Sequence, residues 1–420
     1  MSDQVVRAAS HGLKKGNPFM RLREFFVSVA AKRLKAVEAD PSISNQHEFN
    51  GINRFRDMLG SDDRSFPTCF LYLDDENDPV RAIGSTTWYD ARRNNPDRAA
   101  EYRLYFPTND VSQRFSPADL LIIGKRADDT LLILASPADS SVGDQLLWLF
   151  GLEPPNGDYI VRDAGEIDRD VDYVVRWVLE SIGIEAPAPE ADKDLLIRRF
   201  GDAMPTTRVF SEFARTQTTG CDPVADPDHA IIAWLETEER FFRAFERMLV
   251  EKKLREGFVR TDNAVDVDGF IAFSLGVQNR RKSRAGYALE NHLDHIFRLS
   301  DIRYQRGVTT EGKSKPDFLF PGAAEYAAPE FNPVKLAILG AKASCKDRWR
   351  QILGEADRVK AKHLCTLEPS ISVNQTNEMK SRDVQLVLPK QIHQSYTNAQ
   401  QPWLWTVMRF IEHIRQQQAS

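Results

Sequence analysis

Cysteine is scarce. Four in 420 residues do not make a disulfide framework, and none of Cys69, Cys221, Cys345 and Cys365 stands in a C-x-x-C pair. The chain therefore reads as a protein of a reducing compartment, without a thiolate zinc site. No apolar run approaches the roughly 20 residues that span a bilayer. The opening MSDQVVRAASHGLKKGNPF has no apolar core of a secretory signal, so neither membrane nor secretion is expected, and the cytoplasm is. A glycine-rich phosphate loop is absent, and no nucleotide cofactor is expected. So is the H-E-x-x-H of zinc proteases. The H-x-x-H of His292 and His295 reads instead as surface or packing histidine. Serine and cysteine nucleophiles lack a recognisable partner pattern.

What is present is ordinary in bulk. Hydrophobic residues make up 42% and charged residues 28%, which excludes a chain disordered throughout. The net charge of −5 argues against a nucleic-acid partner only until it is divided. Residues 231–420 hold 29 Lys/Arg against 23 Asp/Glu, or +6, and the remainder carries −11. An acidic front is joined to a basic back.

Residues 20–38 read as an amphipathic helix. From Thr68 to Ile160, short apolar runs alternate with Asp, Asn, Pro and Gly turns, which predicts a mainly β domain, sandwich or barrel. Helices are expected at DQLLWLFGL and over 168–182. The Pro- and acid-rich stretch 184–194 is the best linker, dividing an N-terminal domain (1–183) from a C-terminal one (195–420). In the second domain the pattern predicts a helix from Ile231, another from near Asp266 and a third over about 280–298. Strands follow at 317–320 and 334–342, a helix from Cys345 to about Lys362, a strand at 384–389 and a closing helix. Helices flanking a few strands make an α/β domain.

The chemistry gathers in KPDFLF and LAILGAKASCKDRWRQILGEAD. If the two strands are antiparallel neighbours, Asp317 and Lys342 lie at one end of the sheet. Glu355, thirteen residues on, is expected in the next helix, sharing a face with Arg348. Two carboxylates and a lysine suit phosphodiester hydrolysis. The carboxylates hold a hard cation such as Mg2+, and the lysine orients or deprotonates water, or stabilises developing charge. The bland alternative is a strand-capping Asp and a snorkelling Lys, and Gly340 stands where the usual nuclease pattern has an acid. The cluster Arg280, Arg281, Lys282 and Arg284 has two readings: a solvated helix N-terminus, or a group that meets phosphates, since cations at that end oppose the helix dipole.

NRRKSRAGYALENHLDHIF, TTEGKSKPDFLF and KASCKDRWRQILGEAD, in this order and spacing over roughly 279–368, resemble the catalytic domain of EcoRII-type restriction endonucleases. The resemblance implies a restriction-endonuclease-like PD-(D/E)xK fold. It places Asp317 and Glu355 at the metal, Lys342 beside the attacked phosphate, and Glu290 close by. In that family the missing acid is supplied from the next helix, which answers Gly340. Tyr326 matches a position near the site. Lys346, Asp347 and Arg348 correspond to a triplet that reads CC/GG elements, a role that suits Lys or Arg donating to guanine and Asp accepting from cytosine; the alternative is a solvated first helical turn.

VRAIGSTTWYDARRNN, EYRLYF and SPADLL are similar in layout to that family's barrel-like effector domain. Carried over, this makes Arg81, Arg92, Arg93, Arg98 and Arg103 candidate DNA contacts; otherwise they are scattered surface arginines. An acidic domain can also cover a basic cleft and inhibit it. The whole implies a Mg2+-dependent homodimer acting on double-stranded DNA in a prokaryotic cell, at a short CC/GG-containing palindrome such as CCWGG, with a companion methyltransferase. Two further readings stand: a less specific anti-phage nuclease whose front domain senses another signal, and a non-cleaving DNA-binding regulator.

Overall fold

The computed structural model describes residues 21–419 apart from 40–42, 44–46, 52, 96, 158, 168 and 185–190; of 53, 181, 282, 346 and 347 it describes the backbone alone. Most of the expected linker thus lies outside the described residues. The chain divides into two compact units, residues 1–186 with 370–374, and residues 187–369 with 375–420. No helix among the described residues is long and apolar enough to cross a membrane.

The first unit holds β1 (Phe26–Arg33), α1 (Ala36–Ala39), β2 (Glu48–Asn50), α2 (Asn53–Leu59), β3 (Arg64–Tyr72), β4 (Val80–Asp90), β5 (Tyr102–Tyr105), β6 (Leu120–Arg126), β7 (Leu131–Ser136), α3 (Ser141–Phe150), β8 (Ile160–Asp163) and α4 (Tyr173–Ser181). Its strands form one sheet in the order β2-β5-β4-β3-β7-β6-β1-β8. All neighbours are antiparallel except β3 and β7. On one face Phe26, Val29, Ile122 and Leu134 pack against α3 and α4. On the other, Phe49 of β2 and Val161 of β8 share one core with Phe66, Trp88 and Ile133. The two outermost strands contribute to the same core, so the sheet curls around it.

The helix expected over 20–38 is a strand. Residues Phe26–Arg33 form β1, between β6 and β8, with six of eight residues buried. A surface helix buries one stripe, whereas an interior strand buries both faces. Each buried large apolar side chain is worth about 1.5–3 kcal/mol, against helix-propensity differences below about 0.7 kcal/mol per residue. Burial wins.

The second unit opens with helices: α5 (Lys193–Phe200), α6 (Thr207–Gln217), α7 (Pro227–Glu256) and α8 (Val267–Leu299). Asp226 caps α7 by accepting from His229 N, with Pro227 in the first turn and Gly257 at its end. Asp266 caps α8 likewise, accepting from Gly269 N. The two helices expected after Asp266 are a single one. Nothing in VQNRRKSRAG breaks a helix strongly, and the glycines at 276 and 286 cost only about 1 kcal/mol each.

Five strands follow: β9 (Gln305–Arg306), β10 (Phe318–Phe320), β11 (Ala337–Lys342), β12 (Lys362–Thr366) and β13 (Val384–Val387), in the order β13-β12-β11-β10-β9. The sheet is mixed: β9–β10–β11 is antiparallel, β11–β12–β13 parallel. Helices α9 (Ala323–Ala327), α10 (Val373–Ser381) and α11 (Val407–Ala419) complete the chain. Phe318 and Phe320 meet Phe297 of α8, and Phe320 also meets Phe410 of α11. Leu319, pointing oppositely, packs with Ile338, Leu336 and Val359. The sequence pattern discloses neither the two-residue β9 nor the strand β12 (KHLCT): β9 is too short, and Lys362, His363 and Thr366 leave β12 too polar.

Candidate active site

The turn into β10 presents Asp317, and β11 ends on Lys342. Their antiparallel register pairs Phe318 with Leu339, which sets both side chains at one end of the sheet. Asp317 Oδ2 accepts from Lys342 Nζ at 2.8 Å and from Ala341 N at 2.7 Å. Asp317 is thus held by a strand backbone as well as by a charge, and both groups are mostly buried.

Glu355 reaches this pair by a route the helical pattern did not describe. Residues Lys346–Gly354 form a run of 3-10 turns rather than an α-helix, and Glu355 follows in an extended conformation. The expected sharing of a helical face by Arg348 and Glu355 does not apply. Burial, and then the Asp317 carboxylate, push the Glu355 carboxyl above its ordinary range, while Lys342 and Lys362 oppose the shift. Glu290, from α8, is raised by the same two causes, burial first and Asp317 second, against Arg306 and Lys342. Arg306 donates to Glu290 at 2.8 Å. Asp317, Lys342, Glu355 and Glu290 therefore share one electrostatic site.

Gly340 marks a close approach. A Cβ there would lie 2.8 Å from Ile352 Cγ2. An acidic side chain, the usual nuclease residue two places before the lysine, has no room while Ile352 packs onto β11. Glu355 follows directly on the segment that carries Ile352.

Lys362 was missed by the motif. It opens β12, is buried, and its Nζ donates to the carbonyl oxygens of Glu355 and Ala356, the latter at 3.3 Å. Ala356 has φ 52°, a left-handed conformation unusual for alanine, and its N–H donates to Thr310 Oγ1. Lys362 thus braces the turn that aims Glu355. Burial lowers its pKa against the pull of nearby carboxylates, Asp357 foremost. Lys362→Met should cost about 1–3 kcal/mol of stability through two unsatisfied buried carbonyls, and should lower metal-dependent activity by more than the loss of folded protein accounts for. Denaturant unfolding and activity per folded molecule check this; full activity per folded molecule would refute the bracing role.

The remaining expected residues scatter. Arg348 is exposed on the 3-10 segment, and the side chains of Lys346 and Asp347 lie outside the described residues. The basic cluster sits in the middle of α8, not at a helix N-terminus, so the dipole argument for it fails. Arg284 is buried and ion-paired with Glu239, with Glu238 3.9 Å away, which corrects its reading as a phosphate contact. Arg281 pairs with the buried Glu246 at 2.5 Å. Arg280 is half-buried, and the Lys282 side chain is outside the described residues. Tyr326 donates to Glu311 rather than to Asp317 or Glu355. Burial and that bond push its hydroxyl up to about 12. His292 contacts Glu238 at 3.0 Å inside the helical layer. In the first unit Arg81 and Arg98 are exposed. Arg92 pairs with Glu101, Arg93 with Asp63 at 2.7 Å, and Arg103 with Glu48 at 2.8 Å and Glu101 at 2.7 Å. Half-exposed pairs of this kind are worth about 0–1 kcal/mol and exchange readily for a phosphate.

Among the described residues no three His, Cys, Asp or Glu side chains converge as a ready-made metal cage. Two oxygen ligands with the rest supplied by water suit Mg2+, which keeps several waters. The donor set contains no thiolate or imidazole and does not suit zinc.

Residues 242–411 match the family model described as EcoRII C terminal. Over 190 residues the chain is 42% identical to the type II restriction enzyme EcoRII of Escherichia coli, across 45% of this chain and 46% of that one. It spans about half the length of the curated relative it matches. Solved structures of metal-depleted Ecl18kI in complex with uncleaved DNA, and with uncleaved, modified DNA, match at a TM-score of 0.42 and 19% identity, over 54% of this chain and 83% of theirs.

Proposed function

Taking residues 242–411 as a domain of the EcoRII C-terminal type, we propose that this protein is a Mg2+-dependent type II restriction endonuclease of PD-(D/E)xK fold, cutting double-stranded DNA at a short CC/GG-containing palindrome of CCWGG type. The observation that carries the reading is the contact of Asp317 with Lys342 in the field of Glu355 and Glu290. Asp317 and Glu355 would hold the cation, which supplies charge stabilisation on the phosphate and a more acidic water. Lys342 Nζ, fixed by Asp317 Oδ2, would orient the attacking water and stabilise the charge that develops as the water oxygen bonds to phosphorus and the P–O bond to the leaving oxygen breaks, the water's proton passing to solvent. Glu290, tied to Arg306, shapes the acid–base field. Lys346, Asp347 and Arg348 read bases from the segment next to the site. Arg280, Arg281 and Lys282 remain candidates for the DNA backbone.

The front domain (1–183) is in this reading a barrel-like effector joined by a linker (184–194) to the catalytic domain (195–420). Its arginines bind a second DNA copy, and its acidic character restrains the catalytic domain until they do. Two copies of the chain would read a palindrome. Support for a homodimer comes from Val267, Phe270, Ile271 and Leu275, apolar residues exposed on the first third of α8 that a second copy would cover. The expected location is the prokaryotic cytoplasm.

Incubation of plasmid DNA with the purified chain and Mg2+ tests the reading. Discrete fragments with one end sequence are expected, and two-site plasmids should be cut faster than one-site plasmids. Smearing would favour a less specific defence nuclease, and no cutting a DNA-binding regulator. Equal rates on one and two sites would overturn the effector role alone.

A further inference from the structure

With Arg284 turned inward, the basic residues that face solvent near the catalytic centre are others. A cleft of about 530 Å3 is lined by Arg208, Asp294, Arg298, Tyr304 and Arg306. Three elements build it. Arg208 stands in the first turn of α6, Arg298 in the last turn of α8, and Tyr304 and Arg306 lead into and occupy the edge strand β9. Three guanidiniums face one carboxylate. Asp294 is already engaged: it accepts from Arg298 at 2.8 Å and from Tyr304 Oη at 2.9 Å, with Arg306 at 3.8 Å. Arg208 is exposed and makes no ion pair among the described residues. As a cation in a helical first turn it opposes the dipole, a cost that an anion would remove. The half-buried Arg215 contacts His292 Nδ1 at 3.2 Å and is not part of the lining.

The cleft is continuous with the active site through Arg306, which holds Glu290 at 2.8 Å. Arg306 pairs with Phe318, the residue after Asp317, across adjacent strands. Neighbouring strands lie about 5 Å apart, so a polynucleotide backbone crossing from the site to the cleft has only a short step to make.

We propose that Arg208, Arg298 and Arg306 form a phosphate subsite that grips the nucleic-acid backbone beside the cleaved bond. The inference rests on the nuclease reading but concerns residues outside its motifs. Phosphate contacts of this kind position the duplex without reading its sequence.

Salt dependence of duplex binding by the full chain, without divalent cation, provides the test. Log K falls with log salt at a slope of about −0.9 per neutralised phosphate. Arg208→Gln and Arg298→Gln should each flatten the slope by about 1 unit and weaken binding roughly tenfold, equally on site-containing and site-free duplexes. Arg303→Gln, which loses only an exposed pair with Glu325, should leave the slope unchanged. Unfolding curves establish that the variants fold. Unchanged slopes in both cleft variants, with wild type binding normally, overturn the subsite and leave the nuclease reading intact. Wild-type chain that binds no duplex overturns both. Thermal stabilisation by inorganic phosphate that the variants lose, with duplex binding intact, would assign the cleft to a small phosphorylated ligand and overturn the backbone role.

Discussion

Asp317→Asn is expected to reduce DNA cleavage by at least about 1000-fold while leaving duplex binding largely intact. The substitution keeps the side chain's shape, and Asn Oδ1 can still accept from Ala341 N, the bond now 2.7 Å long. What it removes is charge, and with it both proposed functions of the group. A cation loses one of its two anionic ligands, and Lys342 Nζ loses the carboxylate that fixes it at 2.8 Å. A thousandfold loss corresponds to about 4 kcal/mol of transition-state stabilisation, within the several kcal/mol that a catalytic cation contributes. In the proposed reading binding rests on other residues and on phosphate contacts, so it should survive. Single-turnover cleavage of a plasmid, beside equilibrium binding of a short duplex, separates the two effects. Cleavage within tenfold of wild type would remove Asp317 from the site.

Arg284→Met should destabilise the protein by about 3–5 kcal/mol, the cost of stranding a buried charge by removing its partner. The guanidinium lies between Glu239 and Glu238 and stacks over Phe242, 4.3 Å from the ring centroid. Both glutamates are buried. Burial raises the Glu238 carboxyl, but bonding to His292 and the charges of His292 and Arg284 outweigh it and hold Glu238 below the ordinary range. Its ionised form therefore contributes stability above the unfolded-state pKa of about 4.3, and that contribution is lost as pH falls through the lowered folded value. Without Arg284 the folded value rises, so acid unfolding should begin at a higher pH. Methionine keeps the apolar stem against Phe242, so the loss reports charge rather than packing. Chemical unfolding with and without the substitution measures it, and Arg280→Met on the same helix, half-buried and without an ion pair among the described residues, serves as the comparison. Unchanged stability with weakened duplex binding would return Arg284 to the DNA surface.

Arg284 shows where sequence reading runs out. In NRRKSR four cations look alike, since charge is visible in the letters and orientation is not. The turn of α8 that carries Arg284 faces Glu238 and Glu239 of α7, about 45 positions earlier. Lys362 escaped for a related reason. Its role comes from the backbone carbonyls of a turn, which no motif records. Glu355 does lie in the field of Asp317, but not by the helical spacing expected for it, because the segment winds as 3-10 turns and releases Glu355 into extended chain.

The sequence by itself determined the features that arise from neighbours along the chain. Alternation and turn residues disclosed the strands between Thr68 and Ser136, and Asp226 and Asp266 announced the starts of the two long helices. A proline–aspartate before one apolar run and a lysine closing the next were enough to join Asp317 to Lys342, because antiparallel pairing of adjacent strands leaves few registers. Tertiary structure alone decided which face each residue meets. It made a strand of residues 26–33 by burying both their faces, and closed position 340 with Ile352. It turned one arginine of α8 inward, and brought Arg208, Arg298 and Arg306 from three elements to one cleft. Local pattern fixes conformation through short-range sterics and hydrogen bonds; burial and charge pairing depend on partners that sequence distance does not reveal.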